Sequence, residues 1–442
     1  MQVEREPGLE EDETIETGTA AAVAGGFTSI ACLPNTDPPI DSQASVEFVR
    51  QKAARAGNCH VFVVGCVSRH RAGEQLAEIG ALYESGAVAF SDADRSIGNT
   101  ELMRRALEYC LMFDKPILSR PEVRELTQGG IMHEGVTSMV LGLAGIPADA
   151  EDVMTARDLR LAEATGGRLH LMSISSSGSV ELIRRAKARG MQVTAAICPQ
   201  HFTLTDDTLR SFDPNCKLKP PLRSADHLEA CIAGIKDGTL DVISSGHSPR
   251  AAEKKMRDLD EAEFGMAGLE TALSLVITQL IEPGHLDWPA AIAMLSTNPA
   301  RILGLKNKGH LAVGADADVA IIDPHHRWTV TPANFRSKSS NTPLAGWELR
   351  GRRTSDRVGR TQAITPTPAD MRCEASSLWR SCSASLVVET PPSPPKQLAQ
   401  IWWWSLSTTW AGPISRALAT RRPVRLILIG WRRKVCDSPS SM

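Results

Sequence analysis

The sequence lacks the features that would point to a nucleic acid, a membrane or secretion. Its 49 basic and 51 acidic residues nearly cancel, so no charge excess favours nucleic acid or an acidic membrane surface. No uninterrupted apolar run approaches the roughly 18 residues of a membrane-spanning helix. The first residues, MQVEREPGLEEDE, are acidic and polar and contain no apolar signal-peptide core. These absences predict a cytoplasmic protein that binds neither nucleic acid nor membrane.

Closely paired cysteines are also missing. The ten cysteines are scattered along the chain, and no two of them form a C-x-x-C pair. This distribution is typical of buried thiols in a reducing cytosol, not of a disulfide framework. The eleven histidines are interpreted one by one as surface or satisfied core residues, because none lies in a recognisable ligand pattern.

What the sequence does contain is a repeated alternation of strand-like and helix-like segments from Thr14 to about Pro324. Short apolar runs bounded by Gly and Pro, each followed by a helical pattern, are typical of a parallel sheet buried on both faces. Strands are predicted at 27–33, 60–66, 86–91, 116–119, 167–172, 191–197 and 240–245. Helices are predicted at 16–24, 42–56, 72–84, 99–113, 150–165, 178–189, 228–236, 268–281 and 287–296. This α/β pattern favours a closed (β/α)8 TIM-type barrel with its chemistry at the carboxyl ends of the strands.

Composition divides the chain into three parts. Residues 1–303 are predicted to form the barrel, with its N-terminal strands truncated, and 304–352 a segment of a small β-subdomain, because Gly-rich turns flank a β-branched run in 309–324. Residues 353–442 are rich in Arg, Ser, Thr and Pro and show no sustained period. We interpret this tail as disordered or as out-of-frame translation, and the run IWWWSLSTTW favours the second.

Seven local strings stand in order between residues 5 and 351 and carry a resemblance to one enzyme family. They are Arg5-Glu6-Pro7-Gly8, Pro34-Asn35-Thr36, GAVAFSD (86–92), MHEGVTSMVLGLAGIP (132–147), Pro220-Pro221-Leu222-Arg223, Phe264-Gly265 and NTPLAGW (341–347). On these strings the chain resembles the long bacterial dihydroorotases of the amidohydrolase superfamily. Hydantoinases and allantoinases share the barrel, but the first, fifth and last strings favour dihydroorotase.

The resemblance implies a zinc hydrolase that interconverts carbamoyl-aspartate and dihydroorotate in pyrimidine biosynthesis. Such chemistry needs a metal-activated water, a polarised amide carbonyl and a carboxylate that moves the proton. The positions that match the family's metal ligands and catalytic aspartate are Val3, Ala93, Arg120, Ser173 and Gly246. None is a histidine or a carboxylate, so we predict a degenerate member with no catalytic residue and no metal ligand. No cofactor is expected, and zinc would require an unrecognised site.

Some neighbours of these positions carry ligand-type side chains. They are Asp92, Asp94, His170, His201 and His247. Side chains one or three residues apart on a strand point to opposite faces, so Asp92 and Asp94 flank Ala93 on the wrong side. By the same alternation His170 faces away from Ser173. We therefore do not expect a rebuilt binuclear site.

Remnants of a substrate pocket are retained. By the resemblance, Arg5 would bind the substrate carboxylate and Asn35 would contact substrate, while Phe264 and Gly265 also match the family. The simpler interpretation is that these strings persist as turn and strand-end architecture.

Three residues add positive charge relative to the family pattern. Arg120, Lys219 and Arg250 are predicted to join Arg5 and Arg223 around one pocket, where they would replace part of the charge of two zinc ions. The same cluster is suited to binding a small anion.

Three functions stay open from the sequence. The first is a non-catalytic homologue, in an oligomer, that acts as a structural partner of aspartate carbamoyltransferase. The second is an active dihydroorotase with an atypical site, and the third is the product of a decaying gene. Loss of site residues beside surviving scaffold strings favours the first.

Overall fold

The computed structural model describes residues 6–353. The predicted site residues Val3 and Arg5 and nearly all of the predicted irregular tail lie outside this range. The described strands are β1 (Ser29–Cys32), β2 (His60–Gly65), β3 (Ala89–Phe90), β4 (Ile117–Ser119), β5 (Met132–His133), β6 (Gly145–Ile146), β7 (Leu169–Leu171), β8 (Val193–Ile197), β9 (Val242–Ile243), β10 (Ile322–Thr329) and β11 (Glu348–Arg353). The described α-helices are α1 (Ile15–Ala24), α2 (Gln43–Ala56), α3 (Ile79–Glu84), α4 (Thr100–Cys110), α5 (Arg124–Thr127), α6 (Val136–Leu141), α7 (Asp149–Thr165), α8 (Ser177–Ala188), α9 (Ala225–Lys236), α10 (Ala252–Lys255), α11 (Leu269–Val276), α12 (Trp288–Ile292) and α13 (Asn298–Ile302).

Seven strands form one sheet in the order β1-β2-β3-β4-β7-β8-β9. Every neighbouring pair in it is parallel. Parallel neighbours need a crossover, and helices supply it at nearly every step of the sheet. The predicted α/β architecture with a parallel sheet is therefore confirmed. Two smaller pairs stand apart from the sheet: β5 with β6, and the antiparallel β10 with β11.

Both faces of the sheet are buried, which explains the continuous apolar runs in the sequence. One face packs against the surrounding helices in the largest apolar cluster, to which the sheet contributes Val63, Phe90, Ile117, Leu169, Leu171 and Ile197. The opposite face encloses a second cluster, to which it contributes Ala31, Val64, Ala89, Leu118 and Met172. We call this second face the inner face. The alternation between the two clusters follows the two-residue period of a strand.

The two edge strands of the sheet line the same cavity of about 220 Å³. Ser29, Ile30 and Ala31 of β1 lie on one side of it, and Val242 and Ile243 of β9 lie on the other. The sheet therefore curls until its first and last described strands approach each other. Helices α11 and α12 cover this cavity with apolar side chains.

Two predicted elements differ from the structure. The helix predicted at 72–84 begins only at Ile79, and the strand near 309–324 lies instead at β10. Among the helices of residues 6–353, none combines the length and the apolar character needed to cross a bilayer.

Candidate functional site

The residues predicted to have replaced the family's ligands lie at the carboxyl ends of the strands of the sheet. Ala93 follows β3, Arg120 follows β4, Ser173 follows β7 and Gly246 follows β9. Because these strands are parallel, their carboxyl ends meet at the same mouth of the barrel, where catalytic residues of such barrels lie. The structure therefore brings these four positions to the place where a site would form.

The backbone at three of these positions is left-handed. Its φ is 56° at Ala93, 54° at Ser173 and 62° at Gly246. This conformation is unfavourable for residues with a Cβ and clusters at functional sites. At Ala93 it is supported by a hydrogen bond from the backbone N–H to Ser91 Oγ, 2.9 Å long. The strand ends thus keep a functional-site backbone while carrying a methyl group, a hydroxyl group and no side chain.

Gln200 fills the space beside Gly246. A Cβ atom added at Gly246 would lie 2.6 Å from both Nε2 and Oε1 of Gln200 and 2.9 Å from Cys198 Cβ. Gln200 is itself buried, at the end of β8. A carboxylate at position 246 would therefore require Gln200 to move.

A chain of neutral polar groups crosses the ends of β7, β8 and β9. Ser173 Oγ lies 3.4 Å from Cys198 Sγ, and Cys198 Sγ lies 3.2 Å from Ser244 Oγ. Ser173 therefore satisfies its hydroxyl within the protein.

The aspartates on either side of Ala93 have separate structural partners. Asp92 is buried, and its Oδ1 accepts hydrogen bonds from the backbone N–H groups of Val67 (2.9 Å) and Ser68 (3.0 Å). Burial raises the pKa of Asp92, although these hydrogen bonds oppose the shift. Asp94 is half exposed and pairs with Arg71. Each carboxylate thus has its own partners.

The nearby histidines are engaged one by one. The prediction that His170 faces away from the site is wrong: it lies on the inner face as the register partner of Leu118, with Nδ1 2.8 Å from Thr194 Oγ1. His201 donates from Nε2 to the carbonyl oxygen of Pro220 at 3.1 Å. Burial lowers the pKa of His170 to about 3 and that of His201 to about 4, so both are neutral at pH 7.

His247 connects the barrel to the N-terminal segment. Its Nδ1 accepts the N–H of Gly268 at 3.1 Å, so the proton is on Nε2, which lies 3.4 Å from Glu13 Oε2. Glu13 also accepts a hydrogen bond from the backbone N–H of Lys338 at 3.0 Å. Burial raises the pKa of Glu13, but His247 and the hydroxyl donors around it outweigh burial and hold that pKa below its usual value. His247 thus has a structural role.

Two of the added cations meet at Phe264. Lys219 Nζ lies 2.6 Å from Glu122 Oε1 and 5.9 Å from the centre of the Phe264 ring. Arg250 Nε donates to the carbonyl oxygen of Phe264 at 2.9 Å and lies 3.1 Å from Glu263 Oε2. Both cations are therefore paired with carboxylates.

Arg120 differs from them. Its Nε and Nη2 atoms are buried, and neither has a hydrogen-bond partner among the described residues. No hydrogen bond in the described part of the chain joins Arg120 to Lys219 or Arg250, although Lys219 pairs with Glu122, two residues after Arg120. Of the predicted pocket, then, Lys219 and Arg250 lie together around Phe264, whereas Arg120 lies at the end of β4.

The remaining predicted pocket residues lie at separate positions. Asn35 follows β1 and is buried, and its Oδ1 has no partner in residues 6–353. Gly265 has φ 138°, and a Cβ there would lie 2.5 Å from the carbonyl oxygen of Ser248, so only glycine fits. Arg5 lies outside the described residues.

Arg223 belongs to a buried network that sequence reasoning missed. Its Nη2 lies 3.7 Å from Glu151 Oε2, and its Nη1 donates to the carbonyl oxygen of Ile146 at 3.0 Å and contacts His133 Nδ1 at 3.2 Å. Glu151 Oε1 accepts the N–H of Ser175 at 2.9 Å. The signal was available, because two of the seven strings contain Arg223 and the segment around His133 and Ile146.

One group of ligand-type side chains lies elsewhere. It consists of His60, at the start of β2, together with Asp316 and Asp318. Their potential ligand atoms all lie within 4.8 Å of one another, close enough to hold a metal ion. Lys308 Nζ lies 2.8 Å from Asp316 Oδ2 and also pairs with Asp318. The lysine ammonium group already supplies the cation that these carboxylates need.

The residues at the barrel mouth do not fit zinc. Zinc is held by Cys, His, Asp or Glu side chains, usually with four donors. At the four described family positions, the chain offers a methyl group, a guanidinium group, a hydroxyl group and a glycine. The guanidinium of Arg120 would repel a divalent cation, and Gln200 takes the space beside Gly246.

Comparison with known sequences finds two family models and several relatives. A model described as "Dihydro-orotase-like" matches residues 2–179, and one described as "Amidohydrolase family" matches residues 141–346. The dihydroorotase of Pelotomaculum thermopropionicum is 50% identical over 347 residues, which cover 78% of this chain and 81% of that protein. The dihydroorotase of Syntrophus aciditrophicus is 48% identical over 348 residues, which cover 79% and 81%.

Solved structures are similar in fold. The L-hydantoinase from Arthrobacter aurescens matches with a TM-score of 0.70 and 23% identity, over 80% of this chain and 82% of that chain. A D-hydantoinase from Thermus sp. matches with a TM-score of 0.67 and 22% identity, over 80% and 81%. Together with the amidohydrolase family model, this likeness confirms the predicted TIM-type barrel of the amidohydrolase superfamily.

Proposed function

The chain belongs to the dihydroorotase family of pyrimidine biosynthesis, and from that premise we propose that its own barrel does not catalyse metal-dependent hydrolysis. One observation carries the proposal. Three strand ends keep the left-handed backbone of a functional site, at Ala93, Ser173 and Gly246, but their side chains cannot bind a metal. The fourth described position holds Arg120.

The missing groups are those that hydrolysis of a cyclic amide needs. A metal-bound water is the nucleophile in such sites, and a carboxylate or imidazole moves the proton. Here the position of the catalytic aspartate is Gly246, and Gln200 occupies the adjoining space. Arg120 cannot act as a base, because a guanidinium group does not lose its proton in proteins.

The proposed role is that of a structural partner of aspartate carbamoyltransferase. An exposed apolar face on α6 supports a protein partner, since Val136, Met139 and Val140 are 76%, 82% and 67% exposed. Positions i, i+3 and i+4 lie on one side of a helix, so these side chains form a continuous patch. Exposed apolar patches of this kind mark protein interaction sites.

Co-purification with aspartate carbamoyltransferase from the same cells tests this role. We expect a stable complex with the wild-type chain and its loss in the double variant Val136→Asp, Val140→Asp. Met256→Asp is the matched control, because Met256 is 83% exposed and follows α10, outside α6. If α6 variants bind as well as wild type, or if wild type does not bind, the partner role is wrong.

A second candidate is an active dihydroorotase with an atypical site. It is favoured by the relatives, because proteins 48–50% identical to this chain carry the name dihydroorotase. The two candidates differ in turnover. Hydrolysis of dihydroorotate by the purified chain, measured with added zinc and with a chelator, is expected to stay at the buffer rate. Turnover that zinc restores and the chelator removes would establish the second candidate.

A further inference from the structure

We infer that the guanidinium group of Arg120 binds a small oxyanion, of the carboxylate or phosphate class, in the mouth of the barrel. The inference rests on the proposed loss of the metal site, because a zinc ion beside Arg120 would remove the need for an anion. It does not depend on any protein partner.

The direction of the Arg120 side chain follows from its strand. Leu118, two residues earlier, belongs to the inner apolar cluster together with Ala93 and Met172. Alternate residues of a strand share a face, so Arg120 continues the inner face at the carboxyl end of β4. The backbone N–H of Met172 donates to the carbonyl oxygen of Ser119 at 2.7 Å, which keeps β7 alongside. Arg120 therefore lies above an apolar layer.

The carboxylates near these strand ends are already engaged. Asp92 accepts backbone N–H groups of Val67 and Ser68, and Glu122 pairs with Lys219. Asp158, beneath β4, accepts from Ser119 Oγ at 2.6 Å and also pairs with Arg157.

Nε and Nη2 of Arg120 therefore have no hydrogen-bond partner within residues 6–353. Arg120 as a whole is partly exposed, but two of its three guanidinium nitrogens are buried without a hydrogen-bond partner. Unsatisfied charged donors of this kind are unfavourable, so a counter-ion from solution would stabilise them.

The two unpartnered nitrogens define the shape of that ion. Nε–H and Nη2–H lie on the same edge of a guanidinium group and point in parallel. This edge matches two oxygens of one carboxylate or phosphate group in a bidentate pair. Chloride offers a single centre and cannot accept both bonds in the same geometry. The structure thus favours an oxyanion over a halide.

Thermal unfolding of the full chain tests the inference, with sodium phosphate and sodium acetate as probes against sodium chloride at equal ionic strength. We expect the melting temperature of the wild type to rise with each oxyanion and to saturate. Arg120→Met should weaken this response about ten- to hundredfold, as expected for the loss of charge-assisted hydrogen bonds. Arg120→Lys should lose most of it, because lysine has no bidentate edge. Arg301→Met is the control, since Arg301 is exposed at α13.

A second readout separates ligand binding from a structural role. Without oxyanion, Arg120→Met should unfold at the same temperature as the wild type or above it, because it removes two buried charged donors that have no partner. A lower melting temperature would show that Arg120 is paired inside the protein and would overturn the inference. Equal oxyanion responses in wild type and Arg120→Met would also overturn it. Zinc measured on the same samples tests the proposed function separately: zinc-free protein without an oxyanion response contradicts only the anion site.

Discussion

Gln200 fills the space beside Gly246, the position that matches the family's catalytic aspartate. Gln200 is buried against the place where a Cβ at 246 would lie, 2.6 Å away. Interiors are close-packed, so a vacated volume is filled by a neighbour and cannot be reoccupied without displacement. A single substitution at 246 therefore cannot rebuild a ligand.

We expect Gly246→Ala to lower the free energy of unfolding by about 1–3 kcal/mol, from overpacking and from the left-handed backbone. In a Gln200→Ala background the cost should be smaller, by at least about 0.5 kcal/mol, since the two side chains compete for one space. Urea unfolding of the two single variants and the double variant measures this coupling. Equal costs in both backgrounds would show that Gln200 is not the obstacle.

Three buried histidines predict acid sensitivity. Burial lowers the pKa of His133 to about 4, that of His170 to about 3 and that of His201 to about 4. An unfolded histidine has a pKa of about 6.5, so between pH 6.5 and 4 the unfolded chain takes up protons that the folded chain does not. The free energy of unfolding therefore decreases as the pH is lowered, by at most about 4 kcal/mol per pH unit for three protons.

Urea unfolding at pH 7, 6 and 5 measures this slope. His170→Gln should reduce the slope by roughly one proton's share. The exposed His326 provides the control, and His326→Asn should leave the slope unchanged. A wild-type stability that is flat between pH 7 and 5 would contradict the assignment of these histidines as buried and neutral.

Among the structural elements, most strands and helices were predictable, because a sheet buried on both faces leaves apolar runs at regular intervals. The helix predicted at 72–84 starts late for a local reason. His70, Arg71 and Gly73 have positive φ, and Ser68 forms a bridge with Leu76, so the chain turns before it can form a helix. Polar and aliphatic residues in such turns resemble a helical pattern in sequence.

The strand predicted from the β-branched run after residue 309 was misplaced for a different reason. Gly309 and Gly314 both have positive φ, and Lys308 pairs with Asp316 and Asp318 across the loop. These ion pairs hold an irregular segment in place of a strand, and the strand starts at Ile322. Ion pairing within a loop leaves no periodic signal in the sequence.

Helix α7 contributes Glu151 to the buried network around Arg223. We expect Glu151→Gln to lower the free energy of unfolding by about 3–5 kcal/mol, because it leaves Arg223 buried and unpaired. Glu163→Gln on the same helix is the control and should change it by less than about 1 kcal/mol, since Glu163 forms partly exposed ion pairs. Chemical denaturation compares the two variants. Similar small losses would mean that Arg223 finds another partner.

For the whole molecule, the barrel scaffold persists, and the four described positions that match the family's ligands and catalytic aspartate hold Ala93, Arg120, Ser173 and Gly246. That these positions replace the family's ligands stays a prediction, made from the flanking strings that fix their order. The sequence did not predict that Arg223 pairs with Glu151 and bonds Ser175, or that Lys219 and Arg250 both contact Phe264. Those contacts join segments far apart in sequence, and only the folded chain shows which carboxylate each cation meets.

Elemental analysis of the purified full chain, after incubation with zinc and extensive dialysis, tests the central claim most directly. We expect far less than one zinc ion per chain, because Ala93, Arg120, Ser173 and Gly246 offer no ligand set. About two zinc ions per chain would contradict it, since a two-metal hydrolase site would then exist on other residues.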